Sequence, residues 1–145
     1  MNIDRQQISR VTEMKIDHIG IAVKDLQDAV KLYKSILVQS PIEVEEVPSE
    51  KVRVAMIPLG DTRIELLEPL SDDSAIARFI NDRGEGVHHI AIAVKDIKSS
   101  ITRLSAQGFR VIYSEPRPGS HGKMVTFIHP KSMKGVLLEL CQLPE

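Results

Sequence analysis

Four residues of the 145-residue chain combine type and spacing in a way that could do chemistry: His18, Glu65, His89 and Glu139. Glu65 follows His18 by 47 residues and Glu139 follows His89 by 50, so one imidazole and one carboxylate are offered twice. Two imidazoles with two carboxylates suit a borderline divalent cation such as Co2+, Zn2+, Ni2+ or Mn2+. Each residue alone has a plainer reading. A lone strand histidine is ordinarily a hydrogen-bonded structural group, and a lone buried glutamate can pair with one of the 19 basic residues. The plain reading must hold twice, at matching places, to explain this pattern.

The places match because the strand carrying each histidine is repeated. "DHIGIAVKDL" (17–26) and "HHIAIAVKDI" (88–97) agree at seven of ten positions, 71 residues apart. Strand alternation puts Ile16, His18, Gly20 and Ala22 on one face, against Asp17, Ile19, Ile21 and Val23. In the second copy His89, Ala91 and Ala93 oppose Ile90, Ile92 and Val94. A face of His, Gly and Ala leaves space beside the imidazole, which a ligand cavity needs and a filled core does not. The same rule turns His88 away from the site as a structural residue, and leaves His121 and His129 at loop or strand ends. Glu139 lies inside "VLLELCQL", where a carboxylate is costly unless paired or metal-bound. Glu65 in "RIELLEP" has a milder form of the same problem. Cys141 reads as a small buried hydrophobe and not as a nucleophile.

These residues need strands to hold them, and the rest of the sequence supplies two sets. Strands are predicted over 15–23, 42–47, 51–59 and 62–70, with a helix over 26–37 behind Asp25 as N-cap and Pro41 ending that region. Gly60-Asp61 marks a tight turn. After a connector helix over 72–84, the pattern restarts: strand 86–94, Asp96 as N-cap, helix 97–108, then strands 109–115, 123–130 and 135–143. "PRPGSHG" (116–122) reads as an irregular loop. The expectation is an α+β fold of two tandem βαβββ modules, 15–70 and 86–143. Together they make a single domain over 15–145, with a cupped mixed sheet around a metal cleft. Residues 1–14 read as an N-terminal arm or short helix.

Composition removes several function classes. With 19 basic and 20 acidic residues the net charge is -1, so no basic excess exists to hold nucleic acid. No apolar run is long enough to span a membrane, and "MNIDRQQISRVTEM" lacks a secretory core. One cysteine forbids an intrachain disulfide and favours a reducing compartment. A soluble, cytoplasmic protein is expected.

On these residues the chain resembles the vicinal oxygen chelate superfamily, over about 15–142. Within it, "IELLEPL", "DSAIARFINDRGEGVHHIAIAV", "EPRPGSHG" and "HPKSMKGVLLEL" are similar to the methylmalonyl-CoA epimerases. The resemblance implies a cupped sheet of paired modules and His18, Glu65, His89 and Glu139 as ligands of a divalent metal, Co2+ foremost. It also implies an acyl-CoA substrate, a homodimer, and a 1,1-proton transfer through an enolate that interconverts 2R and 2S epimers. Glu139 is then expected as one acid/base, with Glu65, or one of Glu43, Glu45, Glu46 and Glu50, on the other face. Valine stands at position 54, where the resemblance implies a second catalytic acid, and valine cannot transfer a proton. Ser120 and Lys123 are the expected donors to the substrate carboxylate. Three rival readings stay open. One is a glyoxalase I type lyase with the same four ligands. Another is an extradiol dioxygenase, which needs a longer chain. The third is a metal-free binding protein of the same fold.

Overall fold

The computed structural model describes residues 14–37 and 42–145. The expected N-terminal arm and Pro41 lie outside the described residues, apart from Met14. Module one runs β1 (Lys15–Ala22), α1 (Leu26–Leu37), β2 (Glu43–Val47), β3 (Val52–Leu59) and β4 (Thr62–Pro69). The connector α2 (Ala75–Arg83) leads to β5 (Gly86–Ala93), α3 (Ile97–Ala106), β6 (Arg117–Pro118), β7 (Met124–Ile128) and β8 (Leu138–Gln142). All eight strands form one sheet in the order β2-β3-β4-β1-β5-β8-β7-β6. β1 pairs parallel with β4 and β5 parallel with β8, while β1 and β5 run antiparallel at the centre. The order reads alike from either end, so the two modules meet about a pseudo-twofold axis between the duplicated strands.

Local chemistry explains the helix starts. Asp25 accepts from Asp28 N and Asp96 from Ser99 N, each at 3.1 Å, so both aspartates cap as expected. The last strand of each module adds a second tie: Leu26 N donates to Glu68 at 2.7 Å and Ile97 N to Gln142 at 2.8 Å. Ser74 caps the connector by accepting from Ala77 N at 3.0 Å. The helices α1 and α3 then cover one face of the sheet, packing on Ala55, Ile57 and Leu66 in module one and on Ile128 and Leu140 in module two. This leaves the small-residue face to line the concave side.

Two expectations fail in module two. Residues 109–115 form no strand; only an isolated bridge joins Val111 to Ile128, with Ile112 N donating to Phe127 O. Thr126 takes over beyond it, its hydroxyl donating to Tyr113 O at 2.8 Å and accepting from Tyr113 N at 3.2 Å. A side chain thus replaces the strand ladder and lets 113–116 loop out. The chain rejoins the sheet as β6, inside the segment expected to be irregular, where Arg117 and Pro118 pair with Val125 and Met124. The prolines at 116 and 118 lack N–H donors, which holds this edge to two residues.

Candidate functional site

His18 on β1 and His89 on β5 meet on the concave face, each seated opposite a small residue of the other strand: His18 against Ala91, His89 against Gly20. Their Nε2 atoms are 3.0 Å apart. Glu139 comes from β8, beside β5, and Glu65 from β4, beside β1. Glu65 Oε2 lies 2.7 Å and Glu139 Oε2 3.0 Å from His18 Nε2, and Glu139 Oε1 3.8 Å from His89 Nε2. All four residues are buried. His18, His89 and Glu139 present donor atoms within 4.8 Å of one another, and Glu65 joins through His18.

The residue before each histidine does something strand alternation does not predict. The β1–β5 register skips Asp17 on one strand and His88 on the other. These are equivalent positions in the repeat, and both sit at bulges. A bulge lets two neighbouring residues face the same way. Asp17 therefore turns in and bonds His18 Nδ1 at 2.8 Å, and His88 turns in and meets His89 Nδ1 at 2.9 Å. Ile16 is displaced to the opposite face, 45% exposed beside Ile92 and Val94. Ile16 was expected on the histidine face, Asp17 on the helix face, and His88 away from the site. All three placements are corrected for this one reason.

Asp17 is the anchor of the site. Its Oδ2 also accepts from Lys123 Nζ at 2.7 Å and from Arg63 at 2.8 Å. Burial opposes ionisation, but the His18 and Lys123 bonds outweigh it and hold the carboxyl below the usual range. Lys123, expected to reach substrate, is buried with its amine on Asp17. Ser120, expected in the same role, donates to Glu65 Oε1 at 3.1 Å. Burial pushes His88 and His89 down to about 4. It would lower His18 too, but contacts with Asp17, Glu139 and Glu65 raise that group to about 11. Burial would raise Glu65, yet His18 brings it down to about 2.

The donor set fits a cation better than it fits itself. With His18 Nδ1–H donated to Asp17, its Nε2 faces three acceptors: a second imidazole nitrogen and two carboxylate oxygens. One hydrogen cannot serve all three, and Glu139 Oε2 has no hydrogen-bond partner. A positive charge at the meeting point satisfies every one. The Asp17–His18 bond is the outer-shell arrangement that fixes a ligand histidine's tautomer and orientation.

The ligands open onto a cavity of about 280 Å³. Val47, Val52, Val54, Leu67 and Val125 supply apolar wall, and Glu50, Tyr113 and Arg78 polar wall. Module two also reaches back to module one: His121 contacts Glu43 and Glu45, and Ser49 Oγ donates to Pro118 O at 2.8 Å. Cys141 is buried, and burial raises its thiol. No helix among the described residues is long and apolar enough to cross a membrane.

Residues 17–127 match the glyoxalase/bleomycin resistance protein/dioxygenase superfamily. The chain is 42% identical over 132 residues to the ethylmalonyl-CoA/methylmalonyl-CoA epimerase of Cereibacter sphaeroides, covering 89% of this chain and 98% of that protein. It is 41% identical over 129 residues to the mitochondrial methylmalonyl-CoA epimerase of Homo sapiens, covering 88% and 73%. Its fold superimposes on a variant Streptomyces coelicolor methylmalonyl-CoA epimerase in complex with 2-nitronate-propionyl-CoA. The TM-score is 0.83 at 38% identity, over 89% of this chain and 94% of that one.

Proposed function

The chain belongs to the glyoxalase/bleomycin resistance protein/dioxygenase superfamily, and from that premise we propose that it interconverts the 2R and 2S epimers of methylmalonyl-CoA. The observation that carries this reading is the buried convergence of His18, His89 and Glu139, with Glu65 at His18, on an apolar cavity. The identities to epimerases select the substrate.

The difficulty of the reaction is the charge of the enolate left when C2 loses its proton. His18, Glu65, His89 and Glu139 would hold a divalent ion, Co2+ foremost, with Zn2+, Ni2+ and Mn2+ as alternatives. Such an ion supplies positive charge against that developing negative charge. The protein's own residues do the rest. Asp17, Lys123 and Arg63 lock His18 in one tautomer. Ser120 orients Glu65 and itself lines the cavity, and on this reading it is a donor to the substrate carboxylate. Glu139, which lines the cavity from module two, is the group we assign to take or give the proton on one face of C2. Glu65, bound to His18 and Ser120, contributes charge and position. The apolar walls exclude water that would stabilise the ground state.

The same reading takes the protein as a cytoplasmic homodimer. Its single, buried cysteine accords with a reducing compartment, and Met14 and Ile16 leave an apolar patch for a second copy to cover. Light scattering in solution decides the oligomeric state. The functional test incubates Co2+-loaded protein with one epimer in D2O and follows C2 exchange and epimer ratio, beside methylglyoxal with glutathione. Exchange with inversion supports the epimerase. Turnover of the glutathione adduct with methylmalonyl-CoA untouched would make the protein a glyoxalase I type lyase.

A further inference from the structure

The four ligands leave one carboxylate of the cavity unexplained. Glu50 ends the 3-10 turn Pro48–Glu50 between β2 and β3 and lines the cavity from module one, while Glu139 lines it from module two. Glu50 Oε1 is buried without a hydrogen-bond partner, a condition shared among the described residues only by Arg63 Nε and Glu139 Oε2. A buried oxygen left without a bond carries its full desolvation cost, which is larger still for a charged group. A free surface glutamate would swing out to water.

The turn is held against doing so. Pro48 fixes its start, and Lys51 closes it in the left-handed region at φ 55°. Leu70 N donates to Lys51 O at 2.9 Å, Lys51 Nζ pairs with Asp73, and Ser49 Oγ reaches Pro118 O of module two at 2.8 Å. Both halves of the molecule therefore fix the turn that carries Glu50. Burial, and then the charge of Glu139, raise its carboxyl above the ordinary value, with the Arg117 guanidinium opposing. Such an acid keeps its proton closer to neutral pH than a solvated glutamate does.

The other candidates are committed elsewhere. Lys123 bonds Asp17, Ser120 bonds Glu65, and His88 meets His89. Glu43 and Glu45 contact His121, Glu46 pairs with Arg53, and none of the three lines the cavity. Val52 and Val54 line the same wall as Glu50 and carry no proton.

Resting on the epimerase reading, we propose that Glu50 is the second proton-transfer residue, acting on the face of C2 opposite Glu139. One carboxylate takes the C2 proton, and the C–H electron pair passes into the thioester enolate. The carboxylic acid opposite then delivers its own proton to the carbon. Exchange with water restores both groups.

The test compares Co2+-loaded wild type, Glu50→Gln and Glu50→Asp, giving each epimer separately in D2O and reading inversion and C2 exchange independently. Glu50→Gln is expected to lose about 10²–10⁴-fold in inversion, yet to exchange the C2 proton of one epimer alone, because Glu139 still works. Its metal stoichiometry and unfolding temperature hold or improve, and Glu50→Asp recovers part of the rate. Inversion by Glu50→Gln at the wild-type rate, or equal loss of exchange from both epimers, overturns the assignment. Wild-type protein that converts neither epimer overturns the epimerase reading itself, and Glu50's role with it.

Discussion

Gly20 sets how closely the modules approach at the site. His18 rests over a methyl group at Ala91, whereas His89 rests over the bare Cα of Gly20. A Cβ built on Gly20 would stand 2.2 Å from His89 Cε1, 2.6 Å from Nδ1 and 2.7 Å from Nε2. Carbon atoms in contact need about 3.5 Å, so from 2.2 Å the ring must retreat by about 1.3 Å. It has little room, with His18, His88 and Phe127 edge-on at centroid distances of 5.1, 5.1 and 5.8 Å. Metal–ligand distances tolerate only about 0.2 Å, so this retreat removes His89 from the set. Gly20→Ala is therefore expected to fold, at an overpacking cost of about 1–3 kcal/mol. It should bind Co2+ at least about 10–100-fold more weakly, the loss that even an outer-shell change produces. Competition against a chromophoric chelator measures the affinity, and Ala91→Gly, which only removes a methyl, should keep it. A Gly20→Ala protein that binds Co2+ as tightly as wild type would refute the assignment of His89 as a ligand.

Further outcomes follow from the same geometry. Co2+ at 100 times its dissociation constant should stabilise the chelator-treated protein by about 2.7 kcal/mol, seen as a melting temperature roughly 5–10 °C higher. Asp17→Asn leaves Lys123 and Arg63 facing a neutral amide, and urea unfolding should show a loss of about 3–5 kcal/mol, together with weaker Co2+ binding. The Glu50 carboxyl is raised in the folded state, so the fold binds its proton more tightly than the unfolded chain does, and stability falls as pH rises above the ordinary glutamate value of 4.5. Glu50→Gln should therefore melt higher than wild type at pH 8, and the gain should vanish by about pH 4. Cys141 should resist a thiol reagent in the native protein and react once urea unfolds it, because burial both shields the thiol and raises it.

Repetition made most of the site legible. Two copies of a strand fix two histidines, and the module order then brings in Glu65 and Glu139 from strands parallel to them. The period-2 rule served Gly20, Ala91 and Ala93 well, because regular ladders keep the pleat. It failed at Asp17 and His88, where the register slips, and a slip leaves little trace in residue types. One signal was available: Asp17 is an acid in the strand position that the second copy gives to His88, and both precede a ligand histidine. The 109–115 segment misled for a different reason. Its Phe, Val and Ile look strand-like because Phe109 and Val111 pack against the α3 cluster, and burial asks for the same residues as a ladder does. Glu50 was one of four similar carboxylates in sequence, and only the fold of its turn separates it from the other three.

Each module brings half of the ligands, His18 with Glu65 and His89 with Glu139, and the halves are joined by the β1–β5 ladder and by the stretch between Pro69 and Gly86. The binding unit is thus a pair of modules and not a chain. Opening the stretch between Pro69 and Gly86 would let module one of one copy dock on module two of another, rebuilding the same ladder. Two chains crippled in different halves still carry one intact ligand set between them. That makes complementation between dead variants, with a ceiling of half the sites, a property written into the topology.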